Sequence, residues 1–173
     1  MKRKPAVFLD RDGVLNRDIG YPRVIGDISW IDGAAEAVSL CNDAGYFVFV
    51  VTNQSGVARG YFDEATVKTL HRDMLAILEK QGAHIDDVLY CPHLKDATVA
   101  TYRLTCDCRK PAPGMILNLM SLWPVDRDRS FLVGDKQSDL QAAQAVRIHG
   151  YLFEGGSLAR FIAPLLGLHE INT

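Results

Sequence analysis

Two carboxylates, Asp10 and Asp12, follow directly after a short apolar run that ends at Leu9. Runs of this length, rich in β-branched and aromatic residues, are typical of buried strands. Like charges at the end of such a strand raise one another's pKa, so the pair is costly to keep. A divalent cation, with a reaction that needs one ionised acid and one proton carrier, gives both acids a use. Gly13 then supplies a turn in which backbone can approach a ligand closely. For this motif alone, a strand followed by an acidic turn is the plain alternative.

The two acids suit phosphoryl transfer, which needs an in-line nucleophile, neutralised charge on the non-bridging oxygens and a proton for the leaving oxygen. Asp10 is predicted to be the nucleophile that forms an aspartyl-phosphate. Asp12 is predicted to be the general acid/base, which protonates the leaving alkoxide and then activates water. Thr52 and Lys110 are predicted to stabilise the phosphoryl group through a hydroxyl and a positive charge.

Magnesium is the predicted catalytic cofactor, because Mg²⁺ prefers hard oxygen ligands. Its predicted ligand residues are Asp10, Asp12 and Asp135, with water, a backbone carbonyl and phosphate among the ligands. Asp139 follows Asp135 by one helical turn. We interpret it as acting behind the metal, on Lys136 or on a water.

A second cluster combines Cys91 and His93 with Cys106 and Cys108. Residues two apart in extended backbone point the same way, so each pair can chelate one ion. Three thiolates and an imidazole form a closed tetrahedral set, which favours structural Zn²⁺. A loop with free thiols is the alternative. Zinc would pin the loop, about 91–110, that carries the cations of the site. The remaining histidines include His71 and His84, which we interpret as surface or satisfied side chains.

Composition restricts the class of protein. The chain has 173 residues, with 48% hydrophobic and 23% charged residues and a net charge of −2, as in an ordinary globular protein. This charge favours neither nucleic-acid nor membrane partners. No apolar run approaches the ~20 residues that span a bilayer. We therefore expect a cytoplasmic protein, a monomer, with a single domain over 1–173.

Apolar runs alternate with segments of helical periodicity along the chain. Predicted strands are 7–9, 46–51, 85–90, 130–133 and 150–153; predicted helices begin near Asp32, at Asp63, and span about 114–122 and 138–146, with a last one after Ser157. This alternation predicts an α/β fold with a parallel sheet covered by helices on both faces. The carboxyl ends of parallel strands share one edge. Asp10, Thr52 and Asp135, which each follow a predicted strand, should meet there.

Together the motifs resemble those of the haloacid dehalogenase (HAD) superfamily of phosphatases. Asp10-x-Asp12-Gly13 is similar to its first motif, Thr52-Asn53 to its second, Lys110 to its third and 134–139 to its fourth. Val14 stands where many members have Thr. The resemblance implies a Rossmann-like (HAD) sheet.

Two longer segments are more specific. Residues 52–60, and the Cys/His cluster running into Arg109-Lys110-Pro111, resemble the D-glycero-D-manno-heptose-1,7-bisphosphate 7-phosphatases over nearly the whole chain. The resemblance implies no separate cap domain and a Mg-dependent phosphatase that supplies heptose 1-phosphate for nucleotide-activated heptose, used in lipopolysaccharide or other surface glycans. It also implies the contacts to the sugar bisphosphate: Asp18, Ile19, Gly20, Tyr21, Thr52, Asn53, Gln54, Ser55, Arg109, Lys110 and Lys136. Arg109 would recognise the distal part of the substrate and Lys110 the transferring phosphoryl group.

Two alternatives stay open at this point. Histidinol-phosphate phosphatases share the four motifs and a zinc loop, but their loop is typically shorter than the twelve residues that separate His93 from Cys106. A zinc-stabilised module that binds nucleic acid or protein through Arg109 and Lys110 is the non-enzyme alternative. The acidic residues and net charge oppose it.

Overall fold

A computed structural model describes residues 2–168, so the remaining positions of the predicted 1–173 domain lie outside the described residues. The strands are β1 (Ala6–Leu9), β2 (Phe47–Asn53), β3 (Asp87–Cys91), β4 (Phe131–Gly134) and β5 (His149–Leu152). The helices are α1 (Ala34–Asp43), α2 (Glu64–Lys80), α3 (Gly114–Leu122), α4 (Gln137–Ala145) and α5 (Leu158–Ile162), with short 3₁₀ turns between them. In this part of the chain no helix is both long and apolar enough to cross a bilayer.

All five strands are parallel, in the order β3-β2-β1-β4-β5. Side chains of a strand alternate between the two faces. Val7 and Leu9 therefore pack with α1, α2 and α5, whereas Ala6 and Phe8 pack with α3 and α4. This confirms the predicted Rossmann-like sheet, covered on both faces.

The order of the strands determines where a ligand can bind. The chain moves outward from β1 through β2 to β3 on one side, and from β4 to β5 on the other. The crevice at such a switch point, at the carboxyl ends of the strands, is the usual ligand site of open α/β sheets. Asp10 follows β1 and Asp135 follows β4, and the Asp10 amide donates to the Val133 carbonyl at 3.0 Å.

Helix α2 begins as predicted, because the Asp63 carboxylate caps it by accepting the Thr66 amide at 2.8 Å. A helix that begins near Asp32 makes this residue the N-cap candidate of α1, and that prediction is wrong. Gly33, with φ +69°, holds that position instead of Asp32. A Cβ at Gly33 would lie 2.7 Å from the Ser157 hydroxyl. The close approach of the residue before α5 therefore favours glycine at the start of α1. The last helix ends at Ile162 and continues as a 3₁₀ turn over Ala163–Leu166, which contains Pro164.

Strand β2 is longer than predicted. It runs through Asn53, so Thr52 lies within the strand and does not follow it. Both residues pair with β3, with Thr52 opposite Tyr90 and Asn53 opposite Cys91. The longer strand delivers the Thr52 hydroxyl to the edge of the sheet and connects this edge to the first cysteine of the cluster.

Candidate active site

A pocket of about 410 Å³ opens at the carboxyl edge of the sheet. It is lined by Asp10, Asp12, Asp18, Gly20, Tyr21, Thr52, Asn53, Gln54, Ser55, Arg109, Lys110, Lys136, Ser138 and Asp139. The structure thus brings together side chains from three strand ends and two loops. Ile19 is the one predicted substrate-binding residue outside this lining, and its side chain is exposed. Ser138 was not predicted.

Lys110 is the buried cation at the base of the pocket. Its ammonium lies 3.1 Å from Asp10 Oδ1 and 2.6 Å from Asp139 Oδ1, and it donates to the Val51 carbonyl at 2.7 Å. Burial opposes the charge, but the two carboxylates outweigh this and hold the pKa of Lys110 above its ordinary value. The lysine is therefore a fixed positive charge beside Asp10, where a phosphoryl oxygen would need one.

Asn53 positions that lysine. Its side-chain amide donates to the Lys110 carbonyl at 3.0 Å, and its side-chain oxygen accepts the Lys110 amide at 3.0 Å. These two hydrogen bonds between a side chain and a backbone join β2 to a residue 57 positions away. Asn53 was predicted to bind substrate. The structure gives it this clamping contact, in addition to a place in the lining.

Three carboxylates, from Asp10, Asp135 and Asp139, lie close enough for one cation, with an oxygen of each within 4.8 Å of the others. Burial raises the pKa of Asp10 to about 7 and also raises that of Asp135. One Asp135 oxygen is buried without a hydrogen-bond partner. Gly13 permits this approach, because a Cβ there would lie 2.2 Å from Asp135 Oδ2. Crowded, under-bonded carboxylate oxygens fit a hard divalent cation such as Mg²⁺.

The carboxylate of Asp12, the third residue predicted to bind magnesium, is not in this group. Its Oδ2 accepts from Arg11 Nη2 at 2.8 Å and from Gln54 Nε2 at 2.9 Å. Its Oδ1 accepts from Asn16 Nδ2 at 2.9 Å. The Arg11 side chain folds back onto its neighbour and holds this carboxylate away from the cation group. That Asp12 contributes a magnesium ligand stays a prediction. Asp139, predicted to act behind the metal, also has an oxygen in this group.

Lys136 and Asp18 lie at the rim of the pocket. The lysine ammonium is 3.1 Å from Asp18 Oδ2, so the pair links the loop after β1 to the start of α4. The Lys136 amide donates to Asp139 Oδ2 at 3.0 Å. The start of α4 therefore orients Asp139 at the bottom of the pocket and Lys136 at its rim.

The second predicted metal site is assembled as well, with Cys91, His93, Cys106 and Cys108 in one group. The Sγ atoms of Cys91 and Cys108 are 3.0 Å apart, those of Cys106 and Cys108 3.2 Å, and His93 Nδ1 is 3.3 Å from Cys108 Sγ. These separations are far longer than an S–S bond of about 2.05 Å. They approach the ~3.8 Å edge of a tetrahedron with Zn–S bonds of about 2.3 Å. The donors fit a structural zinc ion.

The zinc group connects directly to the pocket. Arg109 Nη1 donates to the His93 carbonyl at 3.2 Å, and Lys110 follows in sequence. Glu64, at the start of α2, accepts hydroxyl bonds from Tyr90 and Tyr102 on either side of the cluster. The loop is therefore held at its base by these bonds and at its centre by the metal donors.

Replacing Cys106 with serine is expected to break this support. The site would lose a thiolate, so zinc content should fall well below the expected value of about one ion per chain. Thermal stability should fall and KM should rise, because the loop that carries Arg109 loses its anchor. Elemental analysis, thermal melts and steady-state kinetics would measure these effects. Cys41→Ala is the matched control, since Cys41 is a buried core thiol away from the cluster; a zinc-free but fully active wild type would contradict the role.

Comparison with known proteins agrees with this geometry. The HAD-hydrolase-like family model matches residues 107–160. The D-glycero-β-D-manno-heptose-1,7-bisphosphate 7-phosphatase of Rhodopseudomonas palustris is 51% identical over 164 residues, 95% of this chain and 91% of that protein. A HAD-like phosphatase structure from Mesorhizobium loti superposes with a TM-score of 0.87 at 32% identity, covering 100% of this chain and 91% of the other.

A second solved structure carries ligands. The D,D-heptose 1,7-bisphosphate phosphatase from B. bronchiseptica, complexed with magnesium and phosphate, superposes with a TM-score of 0.77 at 34% identity, covering 96% of this chain and 89% of the other. These similarities agree with the acidic pocket and its lysine. The chain belongs to the D-glycero-β-D-manno-heptose-1,7-bisphosphate 7-phosphatase family, within the HAD-like hydrolases.

Proposed function

We propose that this protein removes the C7 phosphate of D-glycero-β-D-manno-heptose 1,7-bisphosphate and yields heptose 1-phosphate for nucleotide-activated heptose synthesis. The observation that carries the proposal is the contact of Lys110 Nζ with Asp10 Oδ1 at 3.1 Å, at the base of a pocket rimmed by Arg109 and Lys136. The lysine and aspartate at the bottom of the pocket suit transfer of one phosphoryl group, and the cationic rim suits binding of a second phosphate. The relatives' names supply the heptose and its β anomer.

The reaction proceeds in two steps on residues of this chain. A carboxylate oxygen of Asp10 attacks phosphorus, and the bond to the leaving oxygen breaks as the Asp10 acyl-phosphate bond forms. Asp12 gives a proton to the leaving alkoxide. Asp12 then takes a proton from the water that attacks the acyl-phosphate, which restores Asp10 and releases phosphate. Lys110 and the Thr52 hydroxyl stabilise the phosphoryl oxygens throughout.

A bound Mg²⁺ would neutralise phosphoryl charge and orient the group in line with the nucleophile. Asp10 and Asp135 are the carboxylates that we propose as its ligands, with Asp139 retained by the ion pair with Lys110. The structural zinc would be held by Cys91, His93, Cys106 and Cys108. Its role is to keep Arg109 and Lys110 in place.

Histidinol phosphate, the rival substrate considered from sequence, is not favoured. The relatives are named for the heptose bisphosphate, and the amine of histidinol phosphate would face Arg109 and Lys136 at the rim. The direct test compares kcat/KM for the β anomer, the α anomer and histidinol phosphate. We expect the bisphosphates to be preferred by several orders of magnitude. Faster hydrolysis of histidinol phosphate than of either anomer would overturn the proposal.

Arg109→Ala is expected to lower kcat/KM for the bisphosphate by about 2–4 kcal/mol in transition-state free energy, within the range for truncating one partner of a buried charge pair. Arginine can hold the distal phosphate with two parallel hydrogen bonds, so Arg109→Lys should recover only part of the loss. Steady-state kinetics on the bisphosphate and on a monophosphate would show the effect. The exposed Arg72 on α2 supplies the control, Arg72→Ala. An equal loss on both substrates would remove Arg109 from distal recognition.

We also propose that the protein acts in the cytoplasm, where a reducing environment keeps the three thiols of the zinc site available. The single-domain organisation and the monomeric state expected from sequence are likewise proposals. Limited proteolysis would test the single domain, and a molar-mass measurement by light scattering would test the monomeric state.

A further inference from the structure

We propose that His71 is a positioning residue of the reaction: it fixes the Arg11 guanidinium, which in turn orients the Asp12 carboxylate. The proposal rests on the proposed function, because it takes Asp12 as the general acid/base. His71 lies on α2, far from the pocket lining in sequence and outside it in space. Its hydrogen bond to Arg11 connects it to the reaction.

Arg11 is almost completely buried, with 1% of its surface exposed. Its Nε and Nη2 atoms donate to Asp12 Oδ1 at 3.1 and 3.0 Å, and Nη2 also donates to Oδ2 at 2.8 Å. Its Nη1 atom lies 3.0 Å from His71 Nε2. A guanidinium has donors only. His71 Nε2 must therefore accept this bond, which places the imidazole hydrogen on Nδ1.

The imidazole is suited to that role. Burial, and then the positive charge of Arg11, lower the pKa of His71 to about 3. The ring stays neutral and keeps its acceptor. It also packs edge-on against the Tyr90 ring, with centroids 5.8 Å apart, so its orientation is fixed by β3 as well as by α2.

The other donors to Asp12 are equally constrained. Asn16 and Gln54 are buried, and Gln54 uses its oxygen to accept from Arg11 Nη2 at 3.1 Å and its amide to bond both Asp12 and Thr52 at 2.9 Å. The position of the Asp12 carboxylate is thus set by a closed network. His71 holds the end of that network that faces away from the pocket.

Loss of the His71 acceptor would leave Arg11 Nη1 buried without a partner, which is costly enough to move the guanidinium. A displaced Asp12 would then transfer its proton poorly to the leaving oxygen as the P–O bond breaks and the Asp10–P bond forms. An alkoxide needs that proton, whereas a nitrophenolate leaves without it. A positioning defect is therefore selective for the leaving group, but a general structural defect is not.

The experiment compares kcat/KM for a primary sugar monophosphate and for p-nitrophenyl phosphate, because kcat/KM reports only the steps up to formation of the phospho-enzyme. His71→Leu should lower the value for the sugar phosphate by about 10- to 100-fold, below the full worth of a general acid, and change the aryl value by less than about threefold. His71→Gln, whose oxygen can reach the place of Nε2, should restore most of the loss. Met74→Leu, one turn along the same face of α2, is the packing control.

Equal losses on the two substrates, or no loss on the sugar phosphate, would overturn the proposal. If His71→Leu does not fold, Arg11→Lys tests the same network, because an ammonium cannot hold both Asp12 oxygens and His71 at once; the same selective loss is expected. Asp12→Asn separates the two levels of the argument. If Asp12→Asn lacks the selective loss, the proposed role of Asp12 fails; if Asp12→Asn shows it and the His71 and Arg11 variants do not, only the positioning role fails.

Discussion

Asp10→Asn is expected to release phosphate at least about 10⁴-fold more slowly than the wild type, the scale of loss when a covalent nucleophile is removed. The amide cannot form an acyl-phosphate, and none of its neighbours can replace it. Asp135 and Asp139 lie in the same acidic group, but in the proposed mechanism Asp135 binds the cation and Asp139 keeps its ion pair with Lys110. Phosphate release from the bisphosphate measures the effect. Asp43→Asn, at an exposed position of α1, is the matched control.

The fold should survive this substitution. Burial raises the pKa of Asp10 to about 7 in the metal-free protein, so the folded state disfavours its charge. A raised carboxyl pKa means that stability is lost as pH rises above the unfolded value near 4. A neutral amide removes that loss, so metal-free Asp10→Asn should melt no lower than metal-free wild type at pH 8. Turnover within tenfold of wild type in the folded variant would exclude Asp10 as the nucleophile.

Much of the site was predictable from sequence because strand periodicity places residues independently of side-chain packing. Apolar runs that end in polar residues predicted that Asp10 and Asp135 would meet at one sheet edge. The Asp10 amide bonded to the Val133 carbonyl confirms the adjacency of β1 and β4. The Cys/His spacing likewise predicted the zinc group, because close pairs in extended backbone constrain where their side chains point.

The contacts that were missed depend on packing between distant elements. Arg11 and His71 are 60 residues apart, and only the rotation of α2 against the sheet decides that His71 meets a guanidinium. His71 falls among the apolar residues of the buried face of α2, a pattern that is typical of a core residue. The available signal for this contact was Arg11, which lies between two acids directly after a buried strand. A buried guanidinium needs more than one hydrogen-bond partner.

The clamp between Asn53 and Lys110 was missed for the same reason. Sequence placed Asn53 next to Thr52 and assigned both to substrate. The extension of β2 by two residues beyond the predicted end turns Asn53 toward the backbone of Lys110. Strand boundaries are the least certain part of a prediction from pattern, and a shift of one residue reverses which face a side chain occupies.

Lys110→Met is expected to affect both catalysis and folding. Methionine keeps the length of the side chain but removes the charge. The phosphoryl oxygens would lose a preorganised cation, so kcat should fall by about 10²–10³-fold, as for loss of one oxyanion donor. Asp10 and Asp139 would lose their shared counter-ion in a buried site. Breaking a buried ion pair in this way costs about 3–5 kcal/mol of unfolding free energy.

The pH dependence of that stability distinguishes charge from packing. Without the lysine, the folded-state pKa of Asp10, which burial already raises, should lie further above its unfolded value, so stability is lost as Asp10 ionises. The loss relative to wild type should therefore be larger at pH 8 than at pH 5, as measured by urea unfolding of the metal-free proteins. Lys136→Met is the control for stability, because its ion pair with Asp18 is largely exposed and such pairs contribute about 0–1 kcal/mol. An equal loss at both pH values would mean that Lys110 contributes packing alone, and retained turnover would remove it from the phosphoryl site.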